Sequence, residues 1–114
     1  MATSKETIAF LLKRLEPPER FLAKPMFGEY ALYADGKPVA LVCDDLLFVK
    51  ILPASEELRP VCEQGPPYPG AKAHYVLDES QWSSVRTLPR ILLALAASLP
   101  APKAKKVRGK ISGQ

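Results

Sequence analysis

The chain has 114 residues, 47% of them hydrophobic, which suits one domain with a buried core and leaves no room for a second. The formal net charge is +4, but five of the 16 basic residues follow Pro100, where there is no acidic residue. Residues 1–100 hold 11 basic against 12 acidic residues, which excludes a folded core with the strong positive surface typical of nucleic-acid-binding domains.

The first predicted element is an amphipathic helix near the N-terminus. Thr3 and Glu6 have the spacing of a capping box. Apolar residues then recur at the spacing of one helix face: Ile8, Leu11, Leu12 and Leu15. The pair Pro17-Pro18 ends this helix, because proline has no amide to donate and disfavours helix in the residue before it.

A three-stranded antiparallel meander is predicted next. Its strands are Met26–Tyr33, Val39–Cys43 and Leu46–Ile51, with tight turns at Asp35-Gly36 and Asp44-Asp45. Two-residue loops pair Leu32 with Val39 and Tyr30 with Leu41 in the first hairpin. In the second they pair Leu41 with Phe48 and Val39 with Lys50. Neither face of this sheet alternates to polar, so both faces are expected to be covered.

The remaining elements are a short helix from Ser55, a strand over Ala73–Leu77, and a helix capped at Asp78 with Trp82 and Val85 on one face. A leucine stripe over Leu88–Leu99 continues as helix, and Pro89 either kinks it or begins a new one. Residues 100–114 are rich in Pro, Ala, Lys and Gly, which predicts a disordered basic tail. The expected organisation is therefore a folded domain at 1–99 and a tail at 100–114.

Reactive side chains are few. His74 is the only histidine, and it is more typical of a strand residue than of a general base. Cys43 and Cys62 are too far apart in sequence for zinc-type spacing, so no metal and no cofactor are expected. Asp44-Asp45 favours a turn over a cation site, and Glu56-Glu57 favours a helix N-terminus. These patterns predict that the protein is not an enzyme.

The strings Met26-Phe27-Gly28-Glu29-Tyr30-Ala31-Leu32-Tyr33, Asp35-Gly36-Lys37, Ala40-Leu41-Val42 and Leu47-Phe48-Val49-Lys50 resemble the N-terminal domain of the TfoX/Sxy competence-regulator family. The likeness covers roughly residues 5 to 99. Glu29 and Ala31 stand where that family has glycines, and the second, C-terminal domain of full-length members is not expected here.

The resemblance implies a two-layer α+β fold similar to secretion-chaperone-like domains, in the order α-β-β-β-α-β-α. It also implies a regulatory module linked to competence or transcription and acting through a protein partner, with a second copy of the chain as one candidate. The residues singled out for partner contact are those of the family motif: Met26, Phe27, Gly28, Tyr30, Gly36 and Lys50. For Lys50, an edge lysine whose ammonium reaches water is the competing interpretation. For the aromatic residues, the competing interpretation is a place in the core.

The alternative hypothesis is weak, sequence-independent contact of the tail with nucleic acid through its cations: Lys103, Lys105, Lys106, Arg108 and Lys110. A tail that only aids solubility explains the same residues. The longest apolar stretch, Ile91–Leu99, is too short to cross a bilayer, and no signal segment opens the chain. No membrane contact and a cytoplasmic location are therefore expected.

Overall fold

The computed structural model describes residues 3–100. Its α-helices are Lys5–Leu12 (α1), Glu79–Ser84 (α2) and Leu88–Ser98 (α3). Its strands are Phe21–Met26 (β1), Glu29–Ala34 (β2), Lys37–Cys43 (β3), Leu46–Val49 (β4), Glu63–Gly65 (β5) and His74–Leu77 (β6). Short 3₁₀ helices span Pro18–Arg20 and Pro53–Leu58. The predicted α+β class is confirmed, and the predicted tail beyond Pro100 lies outside the described residues.

The six strands form one antiparallel sheet in the order β1-β2-β3-β4-β6-β5. Three hairpins join β1 to β4, each through two residues with positive φ: Phe27-Gly28, Asp35-Gly36 and Asp44-Asp45. Positive φ at both central residues gives the backbone a twist that matches paired strands. The two predicted turns are confirmed, but the meander has four strands, since a third turn divides the predicted strand Met26–Tyr33.

The predicted register of the β2–β3 hairpin is wrong. Tyr33 pairs with Pro38, and Leu32 then pairs with Ala40, so Val39 is an extra residue in β3. This bulge moves Ala31 and Tyr33, rather than Tyr30 and Leu32, onto the face that carries Leu41. The β3–β4 pairing of Leu41 with Phe48 is confirmed.

The helices pack on one face of the sheet and make a two-layer domain. The side chains of this covered face lie in the main core: Phe21, Leu32, Ala34, Ala40, Val42, Leu47, Val49, Tyr75 and Leu77. They pack with buried residues of the helices: Ile8, Leu11, Trp82, Ile91, Leu92 and Leu95. Burial of this apolar area is the main stabilising contribution to the fold.

The opposite face, here called the open face, lies outside the main core of residues 3–100, and the expectation that it is covered as well stays a prediction. Its side chains come from alternate positions of all six strands: Leu22, Lys24, Met26, Glu29, Ala31, Tyr33, Pro38, Leu41, Cys43, Leu46, Phe48, Glu63, Gly65, His74 and Val76. Ala31 and Phe48 are buried, whereas Leu22 is 53% exposed.

The other local predictions are partly right. Ser4, rather than Thr3, caps α1, because its side chain accepts a hydrogen bond from the Thr7 amide. The capping box at Asp78 is confirmed, and Pro89 lies at the start of a new helix. The short helix begins at Pro53 rather than Ser55 and is of the 3₁₀ type. The short strand β5 was not predicted, because Glu63-Gln-Gly65 has no apolar alternation.

Candidate interaction surfaces

The turn between β1 and β2, here called the β1–β2 tip, consists of Phe27 and Gly28. Gly28 has φ +82° and Phe27 has φ +52°. The Phe27 side chain is 99% exposed, while Met26 before it is half-buried. A bulky aromatic residue is therefore held in a left-handed conformation with its ring in solvent.

Neither property of Phe27 favours folding. A left-handed conformation costs a residue with a Cβ roughly 1–2 kcal/mol, and glycine or asparagine adopts it more readily. An exposed Phe also forgoes the roughly 1.5–3 kcal/mol that burial of its side chain contributes. Residues that oppose local structural preference are concentrated at functional sites. Phe27 is thus the strongest candidate contact residue of the domain.

The six motif residues do not form a single site. Met26 ends β1, and Tyr30 packs against the edge of the core from β2. Gly36 lies in the β2–β3 turn, at the opposite end of β2 from the β1–β2 tip. The motif is thus divided between two ends of the sheet.

Lys50 lies with Gly36 at that second end. Its backbone amide donates to the Val39 carbonyl at 3.4 Å, so it faces Val39 as expected, although β4 itself ends at Val49. The half-buried side chain borders a shallow cavity of about 270 Å³ together with Tyr33 and Leu99. This placement leaves both interpretations of Lys50 open.

The open face combines apolar and cationic side chains. The Lys24 ammonium lies 4.9 Å from the centroid of the Tyr33 ring, a cation–π contact between β1 and β2. Leu22 pairs directly with Tyr33 and projects beside it. Because β1 is an edge strand, this corner of the sheet is accessible from two sides.

Glu29 and Thr3 join the N-terminus to the β3–β4 turn. The Glu29 carboxylate accepts hydrogen bonds from the amides of Thr3, at 2.9 Å, and Asp44, at 3.3 Å. The Thr3 hydroxyl accepts from the Asp45 amide at 3.1 Å and donates to the Val42 carbonyl at 3.4 Å. The turn interpretation of Asp44-Asp45 is confirmed, and Glu29, which replaces a family glycine, has a structural function.

The reactive groups occupy separate places. His74 Nδ1 lies 2.9 Å from the Lys72 carbonyl oxygen, a local contact within one chain segment. Cys43 and Cys62 are both free thiols. Burial raises the pKa of Cys43, with further contributions from the charges of Glu29 and Asp44, and burial also raises the pKa of Cys62. Raised pKa values lower the fraction of thiolate, the reactive form.

Within residues 3–100, no group of three or more His, Cys, Asp or Glu side chains is arranged to hold a metal ion. No helix in the same range is long and apolar enough to cross a membrane. The five tail cations, Lys103, Lys105, Lys106, Arg108 and Lys110, lie outside the described residues.

Two features of these surfaces were not found from the sequence. Strand β1, which carries Leu22 and Lys24, was missed because Pro25 within it argues against a strand. Pro25 is compatible with β1 because β1 is an edge strand, where one side of the backbone has no partner strand. The Phe27-Gly28 turn was missed because phenylalanine is typical of strands, although the glycine that follows was an available signal.

The family model for the TfoX N-terminal domain matches residues 13–97 of the chain. The match includes the Met26–Tyr33 motif and confirms the resemblance seen in the sequence. The chain is also similar to an uncharacterized 12.7 kDa protein in the trpE 5′ region of Spirochaeta aurantia, with 40% identity over 116 residues. That similarity covers 99% of this chain and 97% of the relative.

Proposed function

This chain belongs to the TfoX N-terminal domain family, and from that premise we propose that it is a non-catalytic regulatory module that contacts another protein through the β1–β2 tip. The family suggests a regulatory setting, linked to competence or transcription. The contact is made by Phe27, with Met26, Gly28 and Tyr30 holding it in place.

One observation carries this proposal: the Phe27 ring is 99% exposed on a backbone of positive φ. A hairpin turn that served folding alone would be more stable with asparagine before Gly28. Aromatic side chains are enriched where partners bury them, because they bring a large apolar area with few rotatable bonds. The partner is therefore expected to offer an apolar pocket for one aromatic ring.

The non-catalytic part of the proposal is supported by the separation of the reactive groups. The His74 ring is engaged with the Lys72 carbonyl, and the pKa values of both thiols are raised. A nucleophile needs a nearby base or a lowered pKa, and neither thiol has a lowered one.

The test places a photo-crosslinking phenylalanine analogue at position 27 of the full chain, in the cells that produce it naturally. Tyr68, an aromatic residue that is 55% exposed in a loop, is the matched control position. We expect a discrete crosslinked protein from position 27 and not from position 68. Equal, diffuse crosslinking from both positions would show that the tip is an ordinary exposed surface.

The variant Phe27→Asn separates binding from folding. It should raise the free energy of unfolding by roughly 1 kcal/mol, because Asn-Gly suits this turn. It should also weaken capture of the crosslinked partner at least about tenfold, the effect of losing one buried aromatic anchor. A stable variant that still binds normally would contradict the proposal.

A second candidate function, association with nucleic acid, is favoured by the charge distribution. All five basic residues after Pro100 lie in a segment with no acidic residue, whereas residues 1–100 carry a small net negative charge. The full chain should bind duplex DNA weakly and lose that binding with added salt. A full-length variant with the five cations replaced by glutamine should not bind DNA. Equal binding by both proteins would show that the tail cations do not bind DNA.

A further inference from the structure

The open face carries a row of side chains that crosses the whole sheet. Successive pairings join Lys24 to Ala31, Ala31 to Leu41, Leu41 to Phe48, and Phe48 to Val76, which pairs in turn with Glu63. Directly paired residues point to the same face, so all six side chains belong to one surface. Lys24 and Glu63, at the two ends, are both exposed.

The row is therefore positive at the β1 edge, apolar across the middle and negative at the β5 edge. Lys24 and Glu63 form no salt bridge with any of the described residues. Consider a two-fold axis that runs parallel to the strands, level with the gap between β3 and β4. Rotation about this axis brings two such faces together, with β1 of each copy over β5 of the other. This operation places Lys24 opposite Glu63 of the second copy, at both ends of the row.

The same operation matches the apolar positions. Leu41 lies opposite Phe48 of the second copy, and the small Ala31 lies opposite Val76. Two residues along the strands, the exposed Leu22 of β1 lies opposite Gly65 of β5, which has no side chain to obstruct it. At these positions charge and side-chain size are thus both complementary under one symmetry operation.

From this self-complementary row we propose that the open face binds a second copy of the chain, as a two-fold sheet-on-sheet dimer. Two sheets packed face to face with nearly aligned strands are a common arrangement. A two-fold interface uses the same patch on both subunits, which the row satisfies. The Phe27 tip contact does not depend on this dimer, so either proposal can fail while the other stands.

The size of the face sets the strength of the association. Six strands about 4.8 Å apart and three levels of side chains give roughly 400 Å² on each copy. Stable interfaces bury about 800 Å² on each partner, so this dimer should be weak and concentration-dependent. The two Lys24–Glu63 contacts lie at the rim, where charges determine register more than affinity.

The experiment measures the association constant of the full chain by sedimentation equilibrium, up to roughly 500 µM because the interface is small. Lys24→Glu and Glu63→Lys each place like charges at both ends of the row, and each should lower the association constant at least about tenfold. An equimolar mixture of the two variants restores opposite charges at both ends, so it should associate as the unmodified chain does. The double variant K24E/E63K should do the same.

Lys5→Glu and Glu79→Lys are the matched controls, since both residues are exposed and lie on helices rather than on the strands of the sheet. They should leave the association constant within about twofold of the value for the unmodified chain, as expected for charges remote from an interface. A chain that is monomeric throughout the concentration range overturns the proposal. A dimer whose association constant is unchanged by the charge reversals overturns it as well. So does an association constant that the control substitutions lower by the same factor.

Discussion

The ammonium group of Lys37, at the start of β3, lies 2.9 Å from the carbonyl oxygens of both Ala96 and Leu99 at the end of α3. The last carbonyls of a helix have no partner within the helix and carry partial negative charge. α3 has no basic residue in its own last turn, so the sheet provides the cation. This contact fixes α3 over the β2–β3 hairpin.

Replacement of Lys37 by methionine should therefore lower the free energy of unfolding by roughly 1–2 kcal/mol, since two charge-assisted hydrogen bonds are lost while the apolar stem is kept. Urea unfolding followed by circular dichroism measures the change. Lys72→Met, at an exposed loop position, is the control and should leave the midpoint nearly unchanged. Equal effects of the two substitutions would show that Lys37 does not cap α3.

The Asp78 carboxylate caps α2, and this cap should make stability depend on pH. Hydrogen bonds from the Ser80 hydroxyl and the Gln81 backbone amide hold the pKa of Asp78 below its usual value. A lowered pKa contributes stability above the unfolded-state value, about 3.9, and that contribution is lost as the pH falls through the folded-state value. Asp78→Asn still offers a capping oxygen but does not titrate.

The unmodified chain should thus exceed Asp78→Asn in stability near neutral pH, and the difference should shrink as the pH falls below about 4. Thermal unfolding of both proteins across that range gives the comparison. The Arg20–Asp35 pair also lowers the pKa of a carboxyl, that of Asp35. Both proteins contain this pair, so its contribution does not affect the difference in stability between them. A difference that stays constant with pH would contradict the charged cap.

Glu29 should contribute to stability although the family has glycine at this position. Glu29→Gly removes the acceptor for the amides of Thr3 and Asp44 and adds backbone freedom to β2. A loss of roughly 1–2 kcal/mol in the free energy of unfolding is expected. Glu19→Gly, at an exposed position of the first 3₁₀ helix, controls for the effect of glycine alone. Equal losses would mean that the Glu29 hydrogen bonds contribute nothing.

The sequence predicted the fold class, the helix positions and two of the three hairpin turns because local physics determines them. Asp35-Gly36 and Asp44-Asp45 adopt positive φ at small cost, and Asp78 has the spacing of a cap. The bulge at Val39 could not be predicted, because no local preference marks it. It is compatible with the core, where Val39 is fully buried.

The candidate surfaces were predicted only in part. Phe27 was singled out through the family motif, yet its exposure follows from a turn that its own residue type disfavours. The row from Lys24 to Glu63 depends on β1 and β5, neither of which the sequence predicted, and on the order in which six strands pair. Long-range pairing of this kind is determined by the packed core rather than by any single segment.

The hydroxyl of Tyr75 gives the last prediction. Tyr75 lies on the covered face of β6 and is fully buried, yet its oxygen has no hydrogen-bond partner among residues 3–100. A buried polar atom without a partner costs roughly 1–3 kcal/mol of desolvation. Tyr75→Phe removes that atom and keeps the ring, so it should raise the free energy of unfolding by about 1 kcal/mol once the small void is counted.

Tyr68→Phe, at an exposed residue, is the control and should leave the free energy of unfolding nearly unchanged. A loss of stability in Tyr75→Phe, measured by urea unfolding, would contradict this prediction, because it would show that the hydroxyl has a hydrogen-bond partner in solution.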